Sequence, residues 1–239
     1  MHHAGGAHRA PPALLTGAKG HTMFGNLFGK KAEASAAAVA PRGLGGFRLG
    51  GAVVVDSLLF KANAGAFGFE PPAGDQPIEA LGTVDLGGGT LLYRWYVEDD
   101  AWYQVKATAG QIDEIKLFVF ADTINPPTVD AFRQWVEPTS DLGKPELTFN
   151  GRIYKRVWGD GAANAWAPPI VYDESVTHPS GGPADFTMTH YSMLYQREVE
   201  GLPGRYEYLF VTAEDYGPNN FDVVYSLGTD VSDADLSIT

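Results

Sequence analysis

From Phe47 onward, Val, Ile, Tyr, Phe, Trp and Thr recur in short runs punctuated by Gly, Asp, Asn and Pro, a pattern of strands and tight turns. The core begins with Ala52–Phe60. Thr83–Leu86 and Leu91–Val97 flank Gly87-Gly88-Gly89, and Ala101–Thr108 follows across Glu98-Asp99-Asp100, so three successive strands with short polar turns predict an antiparallel meander. Ile115–Ala121 supplies a fourth strand. Met193–Glu200 and Arg205–Thr212, separated by Gly201-Leu202-Pro203-Gly204, predict a hairpin, and Lys144–Trp158 predicts another about Asn150-Gly151. The stretch 159–183 reads as a long loop broken by one strand at Ile170–Tyr172.

One helix is expected over Pro126–Glu137. Asn125 can cap it, Pro126 suits its first position, Val129, Phe132 and Val136 share a face, and Pro138 ends it. These elements predict an α+β domain, β-rich and mostly antiparallel, with this principal helix packed on one sheet face.

Residues 1–46 mix Gly, Ala, His and Pro without apolar periodicity and are expected to form a flexible leader, with residues 47–239 as a single β-rich domain. Met23 offers an alternative start, in which case 1–22 is an upstream extension. Within the leader, Phe24, Leu27 and Phe28 fall at i, i+3 and i+4 and are followed by Lys30 and Lys31. Such a turn could anchor weakly at a membrane interface, dock on a partner or remain a free tail.

Charge narrows the partners. The chain has a net charge of −12, but residues 1–46 hold five Lys/Arg and one Glu, leaving twelve Lys/Arg and twenty-eight Asp/Glu, or −16, for the body. That surface repels nucleic acid and anionic lipid. The chain has no cysteine, which removes disulfides, thiolate metal sites and cysteine nucleophiles and fits a cytoplasmic setting. No apolar run approaches the ~18 residues of a membrane helix, and no signal peptide is visible.

Candidate chemistry is sparse. Val84-Asp85-Leu86-Gly87-Gly88-Gly89-Thr90 matches the second phosphate loop of actin-like ATPases, but no upstream partner loop accompanies it and a glycine hairpin turn explains the same letters. His178 and His190 lack paired metal-ligand spacing, and Asp230–Asp235 lacks the glycine and glutamate of a calcium loop, so neither metal nor cofactor is expected. Asp113-Glu114 and Glu214-Asp215 read as turn and edge acids, and Arg152, Lys155 and Arg156 as surface charges paired across strands. Gln196, Arg197 and Glu198 interrupt an otherwise apolar strand, with Arg197 facing away from its neighbours, and are the candidate binding residues.

Several of these segments together carry a family resemblance. Gly50-Gly51-Ala52-Val53 through Asp56-Ser57-Leu58-Leu59-Phe60, Val84–Gly87, Asp113–Phe120, and Tyr195–Val199 with Tyr206–Leu209 resemble the uncharacterised bacterial YjfK-like family, which carries a domain of unknown function. The resemblance implies a genetic neighbourhood: a phage-shock-protein-A-like membrane-stress protein, a small integral membrane protein and an ATP-grasp ligase. Two readings stand. One is a non-enzymatic accessory protein that binds a protein partner in a membrane-stress or envelope-maintenance system; the other is a small-ligand-binding domain or enzyme with its site in a β-sheet cleft. An exposed apolar patch or sheet edge favours the first, and a deep pocket with converging polar groups the second.

Overall fold

A computed structural model describes residues 44–138, 140–159, 164–180, 182 and 185–239. It corrects the expected fold class: the described residues form a closed antiparallel β-barrel of eight strands with four further strands, and the two α-helices among them are only five and eight residues long. Barrel closure depends on pairing between strands distant in sequence, which local periodicity does not report.

The strands are β1 (Ala52–Val55), β2 (Gln76–Gly87), β3 (Thr90–Val97), β4 (Ala101–Thr108), β5 (Gln111–Ile124), β6 (Glu146–Phe149), β7 (Arg152–Arg156), β8 (Ile170–Thr177), β9 (Phe186–Glu198), β10 (Tyr206–Asp215), β11 (Phe221–Val231) and β12 (Leu236–Ile238). The meander β2-β3-β4-β5 pairs through β11 with β10 and β9, and β8 closes the ring by pairing with both β9 and β2. Every pairing is antiparallel. β1 and β12 extend β2 on one side, and the β6–β7 hairpin flanks the C-terminal half of β9 on the other.

Barrel strands alternate between lumen and exterior, and most are apolar on both faces because both faces are covered. Outward residues Trp95, Tyr103 and Leu117 lie beneath Phe47, β1 and α1 (Leu58–Ala62), with Phe47 stacked on Trp95 at 5.7 Å. Leu44 and Phe47 are both buried there. On the other flank, Met193, Tyr195, Leu209, Val211 and Val223 lie beneath α2 (Val129–Val136) and the β6–β7 hairpin. Phe132 stacks on Phe221 at 4.5 Å, with Val129 and Val136 packed beside it, so the helix presents the expected face. Its start differs from expectation: Thr128, not Asn125, is the N-cap, and its side chain accepts a hydrogen bond from Ala131 N at 3.1 Å.

Glu207 ties the two flanks together. Fully buried on the outer face of β10, it accepts hydrogen bonds from Gly68 N, from Tyr154 Oη at 2.5 Å and from Arg197 Nε at 2.8 Å. Burial, and then the hydrogen bond to Glu207 and that carboxylate's charge, push the Tyr154 hydroxyl up to about 12.

The expected turns are present. Gly87, Gly88 and Gly89 all have positive φ in the β2–β3 hairpin, Asp85 accepts from Gly87 N at 2.7 Å, and Asn150 and Gly151 both have positive φ between β6 and β7. Gly228 acts differently. A Cβ there would run into the Phe118 ring and the Leu117 carbonyl, so its absence lets Phe118 lie across β11 and stack on Trp102 at 4.4 Å. Gly228→Ala is expected to lower stability by ~1–3 kcal/mol through overpacking in the lumen. Gly88→Ala, at positive φ in open space, is expected to cost about 1 kcal/mol. Urea denaturation measures both, and equal small losses would contradict the packing account.

Candidate functional site in the barrel lumen

The lumen combines an aromatic core with a charged network. Trp102, Phe118 and Phe210 pack together, and the Arg94 guanidinium lies 5.1 Å from the Trp102 ring centre and 5.3 Å from those of Tyr172 and Phe210. Register explains the meeting: Arg94 on β3 lies opposite Gly82 on β2, and Gly82 opposite Val176 on β8, which directs Glu174 into the same space. A side chain at position 82 would overlap the Glu174 carboxylate.

Arg94 donates from Nη1 to Glu174 and from Nη2 to Tyr172 Oη at 2.6 Å, while Tyr96 Oη donates to Glu174 Oε1 at 2.8 Å. Burial alone would push the Glu174 carboxyl up, but the Arg94 charge and the His190 and Tyr96 contacts hold it at about 2. Burial and the Glu174 charge push Tyr96 well above the usual phenol range. The pair is therefore ionised and Tyr96 remains a donor.

His190 stands between two carboxylates. Its Nε2 is 2.9 Å from Glu174 Oε2 without hydrogen-bond alignment, and its Nδ1 is 3.5 Å from Glu214 Oε1 and 3.0 Å from Thr212 Oγ1. Ser192 connects Tyr172, at 2.8 Å, to Thr212, at 2.9 Å. Tyr216 Oη donates to Glu214 Oε2 at 2.5 Å. Burial raises the Glu214 carboxyl above its ordinary value even though His190 and Tyr216 oppose the shift.

The lumen thus contains two acids whose surroundings push them in opposite directions, Glu174 down and Glu214 up, with the His190 ring between them. Access is what it lacks. Arg94, Glu174 and His190 are 1%, 0% and 1% exposed, so these groups are closed to solvent. Among the described residues no group of three His, Cys, Asp or Glu is arranged to ligate a metal, and Glu174 is already committed to Arg94 and Tyr96.

An open groove of about 700 Å³ lies outside the lumen, lined by Lys144, Glu146, Lys155, Val157 and Trp158 among others. The basic cluster read from sequence divides across β7. Arg152 donates to Gly65 O at 2.9 Å, and Arg156 donates to Gly143 O and Ala165 O at 2.6 and 2.7 Å, while Lys155 is exposed opposite Glu146.

Gln196, Arg197 and Glu198 do not converge on one point. Gln196 is half-buried opposite Tyr208 and Lys155; Arg197, on the other face, binds Glu207 and donates to Ala66 O at 2.6 Å; exposed Glu198 accepts from Gly204 N at 2.7 Å. Phe24, Leu27, Phe28, Lys30 and Lys31 lie outside the described residues. The residues that do converge, Arg94, Glu174, His190 and Glu214, come from β3 and from the three successive strands β8, β9 and β10. The edge reading of Glu214 is corrected by its position in the lumen, where it is 7% exposed. A polar residue flanked by apolar ones on a strand was the available signal at Arg94, but it named no partner.

Fold and site define a closed barrel whose lumen is packed with an aromatic core and a buried charge network and whose outer faces are covered by its own chain. The chain belongs to the family described as "Protein of unknown function (DUF2491)", whose model matches residues 23–237. It is 26% identical over 226 residues to "Uncharacterized protein YjfK" of Escherichia coli (strain K12), covering 90% of this chain and 98% of that relative. No solved structure matches it significantly. No helix among the described residues is long and apolar enough to cross a membrane.

The two glutamates carry opposite pH signatures. Glu174, depressed from 4.5 to about 2, contributes stability that is present above pH 4.5 and is lost as pH falls through about 2. Glu214, raised from 4.5, contributes stability that is present below pH 4.5 and is lost as pH rises through its folded value. Glu214→Gln should therefore lose less stability than the wild type as pH rises from 4.5 through neutrality. Urea melts across that range test this, and parallel curves would contradict it.

Proposed function

We propose that the protein is a non-catalytic, cytoplasmic accessory protein that binds a protein partner through the outside of its barrel. The observation that supports this most is the packed lumen: Arg94, Glu174 and His190 are closed to solvent, and Glu174 is committed to Arg94 and Tyr96.

An exterior surface is available. Four of the seven exposed large apolar side chains among the described residues are Ile153, Val157, Ile170 and Val171, at 58%, 43%, 43% and 56% exposure. Val157 and Ile170 lie along the flank where β7 and β8 succeed one another beside β9: Val157 N bonds Leu194 O and Ile170 pairs with Ser192. Val171, the next residue of β8, points to the opposite face. Gln196 and Lys155 face each other on the same flank. Exposed apolar side chains with polar neighbours mark protein-binding surfaces.

The YjfK-like resemblance supplies the setting, a membrane-stress or envelope-maintenance system whose phage-shock-protein-A-like member is the first partner to test. In-cell crosslinking of the tagged full chain, followed by identification of the captured protein, is the experiment. The proposal expects one reproducible partner with the wild type and at least a tenfold loss of it with Val157→Asp/Ile170→Asp. Equal capture by both would contradict the assigned surface, and no specific capture by the wild type would contradict partner binding.

A further inference from the structure

β8 pairs with β9 along its length from Ile170 to Val176, but with β2 only at Ser175–Thr177. Residues 170–174 therefore present a backbone edge that has no strand partner among the described residues. On such an edge, alternate N–H and C=O groups point away from the paired neighbour. The edge is open to solvent at Ile170, Val171 and Asp173.

The register shows why the β2–β8 ladder stops. Pairing ends at Thr83 and Ser175, and two more steps would set Asp85 directly opposite Asp173. Like charges facing one another across a strand pair are destabilising. The strands part where that repulsion would begin. Each aspartate is exposed and held by a local bond instead: Asp85 accepts from Gly87 N at 2.7 Å and Asp173 from Thr189 Oγ1 at 2.7 Å.

We propose that the Ile170–Asp173 edge takes an added β-strand from the protein partner, an extended segment in which Lys or Arg alternates with apolar residues. The proposal rests on the partner-binding reading and names the chemistry of the partner. A strand beside β8 would complete its unpaired backbone groups. On one face, cations would meet Asp173 and Asp85 while their aliphatic stems cover Val171; on the other, apolar side chains would meet Ile170 and Tyr172. The body's charge of −16 would draw such a segment in from a distance.

The test uses the full chain and labelled eight-residue probe peptides of alternating Lys and Val, with alternating Glu and Val as the control, measured by fluorescence anisotropy near physiological salt. The Lys-Val peptide is expected to bind at least tenfold more tightly than the Glu-Val peptide. Methylating its alternate backbone amides should abolish binding. Asp85→Lys/Asp173→Lys should reverse the preference, with retention of the fold checked by thermal melting, and Asp85→Asn/Asp173→Asn should reduce it. Absence of Lys-Val binding, full binding of the methylated peptide or indifference to both double variants would each overturn the proposal. Continued in-cell capture of a partner alongside such a failure would leave partner binding standing and remove only strand addition.

Discussion

The architecture depends on a buried ion pair. Arg94 of β3 and Glu174 of β8 are almost completely excluded from solvent, and a charge so placed is tolerated only when it is paired and hydrogen-bonded. Their pairing joins the meander to β8, the strand that closes the ring. Other features follow from it. Gly82 must lack a side chain, Tyr96 and Tyr172 must face inward to complete the hydrogen bonds, and Trp102 and Phe210 offer ring faces to the guanidinium. The β2–β8 ladder itself is only three residue pairs long, so closure needs this additional tie.

Outside the barrel, a second buried acid performs a related task. Glu207 gathers Arg197, Tyr154 and the Gly68 amide, fixing both the 65–69 segment and the β6–β7 hairpin against β10. With α1 and β1 on one flank and α2 and the hairpin on the other, the outward apolar faces of the barrel are sealed by the chain's own segments. Four of the seven exposed large apolar side chains among the described residues lie on or beside β7 and β8, and that is where the proposed function is located.

Local elements were legible in the sequence, and global ones were not. The β2-to-β5 meander, the Asn150-Gly151 hairpin and the apolar face of α2 follow from turn chemistry and periodicity over a few residues. From sequence β8 reads as three residues because Asp173-Glu174-Ser175 end its apolar run, and β11 does not stand out although Phe221–Val231 lies at the centre of the barrel wall. The lumen network was hidden for the same reason. Nothing near Arg94, His190 or Glu214 in the chain names the others, because the register of eight strands brings them together. Arg197, by contrast, announced its opposed orientation through strand alternation alone.

A double-mutant cycle on Arg94→Met and Glu174→Met, followed by urea denaturation, tests the central claim most directly. If the pair closes the barrel, each single variant leaves an uncompensated buried charge and loses about 3–5 kcal/mol. The double variant should then lose far less than the sum, giving a coupling of at least ~2 kcal/mol. Losses that add within ~0.5 kcal/mol would contradict the account.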